Sequence, residues 1–176
     1  MRRLIPAALM LTIAGCSTPP APAPTPVPRP VVTPAPTPAP SPVAPPLAAD
    51  WTLWPFSEGD WVYRRDGVGS IALFGAPGGD AALTLRCDRT RSALYLSVRG
   101  AASAATIRTT TLTRAIPLQP TGGDAGYVAS QLAPTDVLLD AMVFSRGRFV
   151  VERAGQAPLV VRPFAEIGRV IEDCRS

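Results

Sequence analysis

Apolar and polar residues alternate along short segments in the middle of the chain. Leu83, Leu85 and Cys87 fall on one side of an extended segment, and residues 93–99 repeat the pattern. A period of two places successive side chains on opposite faces of a β-sheet, so one face of each segment is predicted to be buried. The turn-forming residues 89–92 between the two segments predict a β-hairpin.

Other short runs of apolar or β-branched residues, bounded by glycine, proline or polar turns, predict further strands. These runs are residues 61–63, 71–74, 106–114, 127–132, 149–153 and 159–162. Together with the hairpin they make about eight short strands, which is typical of a β-sandwich or a small barrel. The sequence therefore predicts a mainly β domain over residues 50–176.

Two segments have a helical period instead. Asp136 can cap a short helix in which Leu138, Ala141 and Met142 share a face. The second segment lies at the C-terminus, with Pro163 in its predicted first turn. Its apolar positions are Phe164, Ile167, Val170, Ile171 and Cys174. This stripe predicts an α-helix that packs against the sheet.

The start of the chain reads as an export signal. Arg2 and Arg3 precede an apolar stretch over residues 4–14. About eleven residues are too few to cross a bilayer of roughly 30 Å as a helix, but they suit the core of a signal peptide. Residues 1–15 are therefore predicted to be a signal peptide. An uncleaved anchor, or an ordinary signal peptide followed by an incidental cysteine, is the alternative.

The stretch ends in Ile13-Ala14-Gly15-Cys16, which resembles the lipobox of bacterial lipoproteins. The resemblance implies lipidation of Cys16, cleavage just before it and acylation of the new N-terminus. Two or more acyl chains hold a protein stably on a membrane. Ser17 follows, and by resemblance to the sorting rule of Gram-negative lipoproteins, a residue other than Asp there implies the outer membrane. The protein is expected to face the periplasm.

Residues 16–49 form a linker dominated by proline. Of the 22 prolines in the chain, 14 lie between Pro19 and Pro46. Each proline fixes its own φ and holds its predecessor extended, which favours polyproline II. At about 3.1 Å per residue the linker reaches ~100 Å when stretched. It is predicted to be a disordered, semi-rigid tether, with a ligand for a proline-recognition module as the alternative.

Three cysteines occur in the chain, and lipidation of Cys16 would leave Cys87 and Cys174. Both lie on predicted apolar faces, and exported proteins fold in an oxidising compartment. The sequence therefore predicts a disulfide between them, worth on the order of 4 kcal/mol for a loop of about 90 residues. A catalytic thiol is the alternative, but the chain has no histidine to activate one.

Charge and composition argue against several classes of function. Residues 50–176 carry 14 arginines and 13 acidic residues, so no nucleic-acid partner is expected. Without histidine, Ser-His-Asp catalysis is excluded and zinc ligation is disfavoured. Asp136 and Asp140 are a candidate carboxylate pair, but a cap and a solvated neighbour are expected. No enzymatic activity, cofactor or metal is predicted.

Two clusters are candidate binding surfaces. Five arginines near the last hairpin and helix can gather guanidinium groups for phosphate or carboxylate ligands. They are Arg146, Arg148, Arg153, Arg162 and Arg169. The alternative is scattered surface arginines paired to Glu152, Glu166 and Glu172. The second cluster is aromatic and comprises Trp51, Trp54, Phe56 and Trp61, for which core packing is expected rather than an exposed platform.

The order of these features resembles that of two groups of periplasmic β-sandwich domains. A tryptophan-led first strand, the strand of residues 83–87 and a terminal helix ending at Cys174 resemble the invasion-associated locus B family and the accessory lipoproteins of type VI secretion. The resemblance implies an accessory role in the cell envelope and supplies no catalytic residues. The expected function is a non-catalytic accessory or binding role, with an envelope protein or an anionic envelope component as partner. The resemblance also supports the disulfide between Cys87 and Cys174. A periplasmic proteinase-inhibitor lipoprotein is the alternative.

Overall fold

A computed structural model describes residues 47–122 and 126–176. The predicted signal peptide 1–15, Cys16 and the linker up to residue 46 lie outside the described residues. A 3₁₀ turn at Trp51–Leu53 precedes the strands. Within the described ranges, no helix has both the length and the apolar character needed to cross a membrane.

The remaining elements are strands and two α-helices. The strands are β1 (Asp60–Arg65), β2 (Gly69–Gly75), β3 (Leu83–Asp88), β4 (Ala93–Arg99), β5 (Ala104–Arg108), β6 (Thr113–Pro117), β7 (Gln119–Pro120), β8 (Tyr127–Leu132), β9 (Phe149–Glu152) and β10 (Leu159–Val161). The helices are α1 (Val137–Val143) and α2 (Ala165–Arg175).

The strands form two antiparallel sheets. The larger has the order β1-β2-β3-β4-β8-β7 and the smaller has the order β10-β9-β5-β6. All strand pairs in both sheets are antiparallel. The fold is a β-sandwich with a C-terminal helix, which confirms the predicted mainly β class.

The inner face of the larger sheet supplies much of the core. Its fully buried residues on β3 and β4 are Leu83, Leu85, Cys87, Leu94, Leu96 and Val98. They belong to the same apolar cluster as Phe149 and Val151 of the smaller sheet and Ile167 of α2. The alternation seen in the sequence therefore predicted the buried face of this hairpin correctly.

The turn between β1 and β2 depends on two residues. The Asp66 carboxylate accepts hydrogen bonds from the N–H groups of Val68 and Gly69, both at 2.9 Å. At Gly69 an added Cβ would lie 2.3 Å from the carbonyl oxygen of Cys87, so only glycine lets β2 approach β3 here. This turn sets the register in which Trp61 faces Phe74.

The prediction of a single strand over residues 106–114 was wrong. The structure has a hairpin there, with β5 and β6 paired so that Arg108 faces Thr113. The Thr109 hydroxyl accepts hydrogen bonds from the N–H groups of Thr111 and Leu112. A threonine side chain can bond its own backbone in this way and close a turn, which the β-branched composition concealed.

The predicted cap of α1 is confirmed. The Asp136 carboxylate accepts a hydrogen bond of 2.8 Å from the N–H of Leu138. The predicted apolar face needs one change, because the buried residues are Leu138, Leu139 and Met142, whereas Ala141 is half-buried.

Helix α2 closes the sandwich. Its buried residues are Ile167, Val170 and Ile171, and it packs against β1, β2, β3 and β4. Pro163 precedes the helix instead of lying in its first turn. The predicted disulfide is confirmed, since Cys174 of α2 is bonded to Cys87 of β3 across 87 residues of chain.

Candidate functional site: an arginine edge

The aromatic segment before β1 runs along the edges of both sheets. The Ser57 N–H donates to the carbonyl of Val160 at 2.9 Å, and the Val160 N–H donates to the Ser57 hydroxyl at 3.0 Å. The Trp61 indole N–H donates to the carbonyl of Arg162 at 2.9 Å. These bonds fix β1, an edge strand of the larger sheet, beside β10, an edge strand of the smaller one.

The aromatic segment packs as predicted only in part. Trp61 is 7% exposed and belongs to the core, where its ring centroid lies 5.4 Å from that of Phe74. Trp51, Trp54 and Phe56 are half-buried. Phe56 has a different role, because it carries arginine side chains on its ring.

Arg148 and Arg162 both stack on Phe56. Their guanidinium carbons lie 4.2 Å and 3.8 Å from the centroid of its ring. The two cationic groups are therefore at most about 8 Å apart. The face of an aromatic ring attracts a guanidinium, and stacking there limits the rotamers of the arginine side chain. We call the surface formed by Phe56, Arg148 and Arg162 the arginine edge.

Neither arginine of this edge has a carboxylate partner among residues 47–122 and 126–176. Arg148 donates one hydrogen bond, to the carbonyl of Trp54. The predicted alternative, pairing to Glu152, Glu166 and Glu172, is not formed in the described part of the chain. Glu152 instead pairs with Arg108 at 2.8 Å. Arg148 also interacts electrostatically with the Asp50 carboxylate. The guanidinium of Arg162 and the remaining donors of Arg148 are therefore the groups available to an anionic ligand.

The arginines that do form ion pairs lie elsewhere in the fold. They are Arg65, Arg86, Arg91, Arg99, Arg108, Arg114 and Arg175. None of them belongs to the predicted five. The predicted cluster and the paired arginines are thus two separate sets.

The N-terminus of α2 follows the arginine edge directly. Its N-cap residue, Phe164, makes no side-chain hydrogen bond to the free N–H groups of the first turn. Such N–H groups carry partial positive charge, although Glu166 in the first turn offsets part of it. The backbone here is held in place because the Arg162 carbonyl accepts from both Trp61 and the Phe164 N–H.

Arg169 lies beyond the arginine edge on α2. Its guanidinium carbon is 4.4 Å from the ring centroid of Tyr63, which lies two residues after Trp61 on β1. The Tyr63 hydroxyl in turn donates to Asp173 at 2.6 Å. Arg169 thus repeats the stacking seen at Phe56, but beside a ring whose hydroxyl is bonded to a carboxylate.

The remaining two predicted arginines do not join the edge. Arg153 donates to the carbonyl of Arg99 at 2.5 Å, and burial lowers the pKa of its guanidinium below the ordinary value. Arg146 lies in the loop between α1 and β9, where its backbone N–H donates to Thr110. Its side chain is exposed. The structure therefore brings together Arg148 and Arg162 of the five.

A small crevice adjoins the arginine edge. Its volume is about 60 Å³. Aromatic rings of Phe56, Trp61 and Phe164 line it, together with Arg162 and Asp60. Phe164 is 46% exposed, so the crevice opens to solvent beside Arg162. A cationic surface thus borders a hollow that is lined by both aromatic and polar residues.

A larger groove of about 460 Å³ lies at the β1–β2 turn and the C-terminal end of α2. Its carboxylates are already engaged, because Asp173 pairs with Arg65 at 2.7 Å and Asp66 pairs with Arg86 at 2.8 Å. Burial would raise the pKa of Asp173, but hydrogen bonds from its neighbours, chiefly Tyr63, hold it below the ordinary value. We interpret this groove as a structural ion-pair network.

The candidate carboxylate pair does not form. Asp136 caps α1 and pairs with Arg114 at 2.9 Å, whereas Asp140 pairs with Arg175 at 2.9 Å. Each carboxylate thus has its own cation. Among the described residues, no cluster of three or more acidic or cysteine side chains is arranged to hold a metal ion.

The sequence placed Phe56 in the aromatic cluster but did not predict its contact with the arginines, and it assigned Tyr63 to no site. Tyr63 lies within the predicted strand over residues 61–63, so its position close to Trp61 was accessible from the sequence. By its fold, the described part of the chain is an antiparallel β-sandwich with a disulfide-linked terminal helix. Comparison of the chain with protein-family models, with curated proteins and with solved structures gave no match.

Proposed function

We propose that this chain is a lipid-anchored accessory protein of a bacterial cell envelope that binds an anionic partner without catalysing a reaction. The observation that carries the binding function is the convergence of Arg148 and Arg162 on Phe56 without a carboxylate partner in the described ranges. Arginine forks suit carboxylate and phosphate groups, which are abundant in an envelope.

The proposed location rests on the N-terminal sequence and on the disulfide. The lipobox-like ending at Cys16 and the proline-rich linker suit a domain held at some distance from a membrane. A disulfide such as Cys87–Cys174 is typical of exported proteins. We infer the outer membrane, facing the periplasm, from Ser17.

The anchor is tested by intact mass and non-reducing peptide mapping of the protein purified from membranes of its own host. The expected result is an acylated N-terminus at Cys16 and a peptide pair joined through Cys87 and Cys174. A water-soluble protein with unmodified Cys16 would contradict the anchor.

The binding surface is tested with inorganic phosphate as the probe and the mature protein in detergent. We expect Arg162→Gln to weaken phosphate binding by about tenfold, since one of two charged donors is lost. The matched control is Arg64→Gln, which removes the same charge from the face of β1 opposite to Trp61 and therefore away from the arginine edge. Equal weakening by both variants would indicate a net-charge effect and would contradict a site at the arginine edge.

An inhibitor of a periplasmic protease remains the second function to test. Tight inhibition of such an enzyme by the purified protein, unaffected by Arg162→Gln, would replace the proposed binding function. The wide separation of the two disulfide cysteines does not favour this alternative, because small inhibitors usually close short loops.

A further inference from the structure

We propose that the arginine edge and the crevice beside it bind the end of a peptide, namely a terminal carboxylate next to a small aliphatic side chain such as that of alanine. The inference rests on the anion-binding function proposed above and adds the chemical class of the ligand. Two features of the surface match two groups that are close together at a peptide terminus.

The first match is between the carboxylate and the guanidinium of Arg162, which lines the crevice and shares the ring of Phe56 with Arg148. A guanidinium presents five N–H donors in a plane, and a carboxylate accepts two parallel hydrogen bonds from it. Arg148 has one donor engaged with the carbonyl of Trp54. The guanidinium of Arg162 has no protein acceptor among the described residues. Because both side chains rest on Phe56, ordering them for a ligand costs little conformational entropy.

The second match is between the side chain and the crevice. A cavity needs roughly 10–15 Å³ to hold one water molecule. The crevice, at about 60 Å³, therefore has room for a few heavy atoms. A methyl or isopropyl group fits this volume, whereas an acyl chain or a sugar ring does not. The aromatic residues Phe56, Trp61 and Phe164 supply the apolar part of a lining that also contains polar groups, and contact with them favours such a group.

Asp60 also lines the crevice, but along β1 it shares the face of Arg64, so its carboxylate is directed away from the ring of Trp61. A peptide end therefore uses both the cation and the hollow, whereas phosphate uses the cation alone.

The experiment measures binding of four probes to the mature protein in detergent by calorimetry. The probes are N-acetyl-L-alanine, N-acetyl-D-alanine, N-acetyl-L-alanine amide and inorganic phosphate. We expect at least one acetyl-alanine enantiomer to bind about tenfold more tightly than phosphate, and the amide to bind at least tenfold more weakly than the free acid. The handedness preferred distinguishes a ribosomally made peptide from a cell-wall peptide ending in D-alanine.

Two variants and a control assign the effect to the crevice. Phe164→Ala is expected to weaken binding of acetyl-alanine about fivefold and to leave phosphate binding unchanged, because only the apolar lining is altered. Arg162→Gln is expected to weaken binding of both. The control Arg64→Gln is expected to change neither. Phe164 is 46% exposed, so its replacement leaves the core intact.

The outcomes separate this inference from the function on which it rests. If phosphate binds as tightly as both acetyl-alanine enantiomers, and Arg162→Gln weakens it, the peptide-end inference is overturned while anion binding stands. If no probe binds, or Arg162→Gln has no effect on any of them, both are overturned. Unchanged binding of acetyl-alanine to Phe164→Ala would also overturn the peptide-end inference.

Discussion

Charged side chains have different kinds of partner at the two ends of α2. At its C-terminal end, Asp173 accepts from Tyr63 and Arg65, and Arg175 pairs with Asp140. At its N-terminal end, Arg162 lies on the ring of Phe56 and has no carboxylate partner among the residues that the structure describes. At the C-terminal end the charged side chains pair with one another within the fold. At the N-terminal end the exposed guanidinium of Arg162 faces solvent. The comparison separates the part of the molecule that stabilises the sandwich from the part that is available to bind.

The largest effect is expected from removing the covalent link at the C-terminal end. Cys87→Ala combined with Cys174→Ala should lower the free energy of unfolding by up to about 4 kcal/mol, because a long loop is no longer closed in the unfolded state. Urea unfolding of the double variant and the parent measures the difference. A loss below about 1 kcal/mol would mean that packing of α2, not the disulfide, holds this end.

A smaller effect is expected from the cap of α1. Asp136→Ala removes the hydrogen bond to Leu138 and the ion pair with Arg114, and should cost about 1–2 kcal/mol of unfolding free energy. The matched control is Asp140→Ala, which removes only a partly exposed ion pair and should cost about 0.5 kcal/mol. Equal losses in urea unfolding would contradict the assignment of Asp136 as the cap.

Acid should remove the contribution of Asp173 to the stability of the fold. Burial would raise the pKa of Asp173, but its hydrogen bonds hold the pKa below the ordinary value of 3.8. A group with a depressed pKa in the folded state stabilises the fold above its ordinary pKa, and this contribution is lost as the pH falls below it. The free energy of unfolding should therefore fall more steeply below about pH 4 in the parent than in Asp173→Asn. Parallel curves from pH 6 to pH 3 would rule out this role for Asp173.

The smallest change in stability is expected at the arginine edge. Arg162→Gln should alter the free energy of unfolding by less than about 0.5 kcal/mol, because the side chain is exposed and has no carboxylate partner within residues 47–122 and 126–176. Urea unfolding of this variant provides the comparison with Asp136→Ala. A loss above about 1 kcal/mol would show that the stacking on Phe56 serves the fold, which would remove the distinction drawn between the two ends of α2.

The fold was largely predictable because its signals are local. The alternation in residues 83–99 fixed both the hairpin and its buried face, and the helical stripe behind Pro163 located α2. The disulfide followed from the two cysteines that remained after Cys16. The error over residues 106–114 arose because Thr109 closes a turn through its hydroxyl, which β-branched composition does not reveal. The two-residue strand β7 is too short to leave a pattern.

The candidate site was only half predictable. Sequence reasoning gathered five arginines because they are close along the chain, but the register of β10 and the loop before β9 decide which of them meet. Arg148 and Arg162 converge because the segment around Phe56 is bonded to Val160, a contact between residues about 100 positions apart. The side chain of Arg153 lies elsewhere, because it donates a hydrogen bond to the carbonyl of Arg99. Such long-range contacts are outside the reach of local patterns.

The most direct measurement of the central claim is an NMR titration of the arginine side-chain Nε–H groups in the mature protein with inorganic phosphate. The account predicts that the signals of Arg148 and Arg162 shift in a saturable manner, while those of the ion-paired Arg65 and Arg175 remain in place. Shifts that are uniform over all arginines, or confined to the paired ones, would contradict an anion-binding arginine edge.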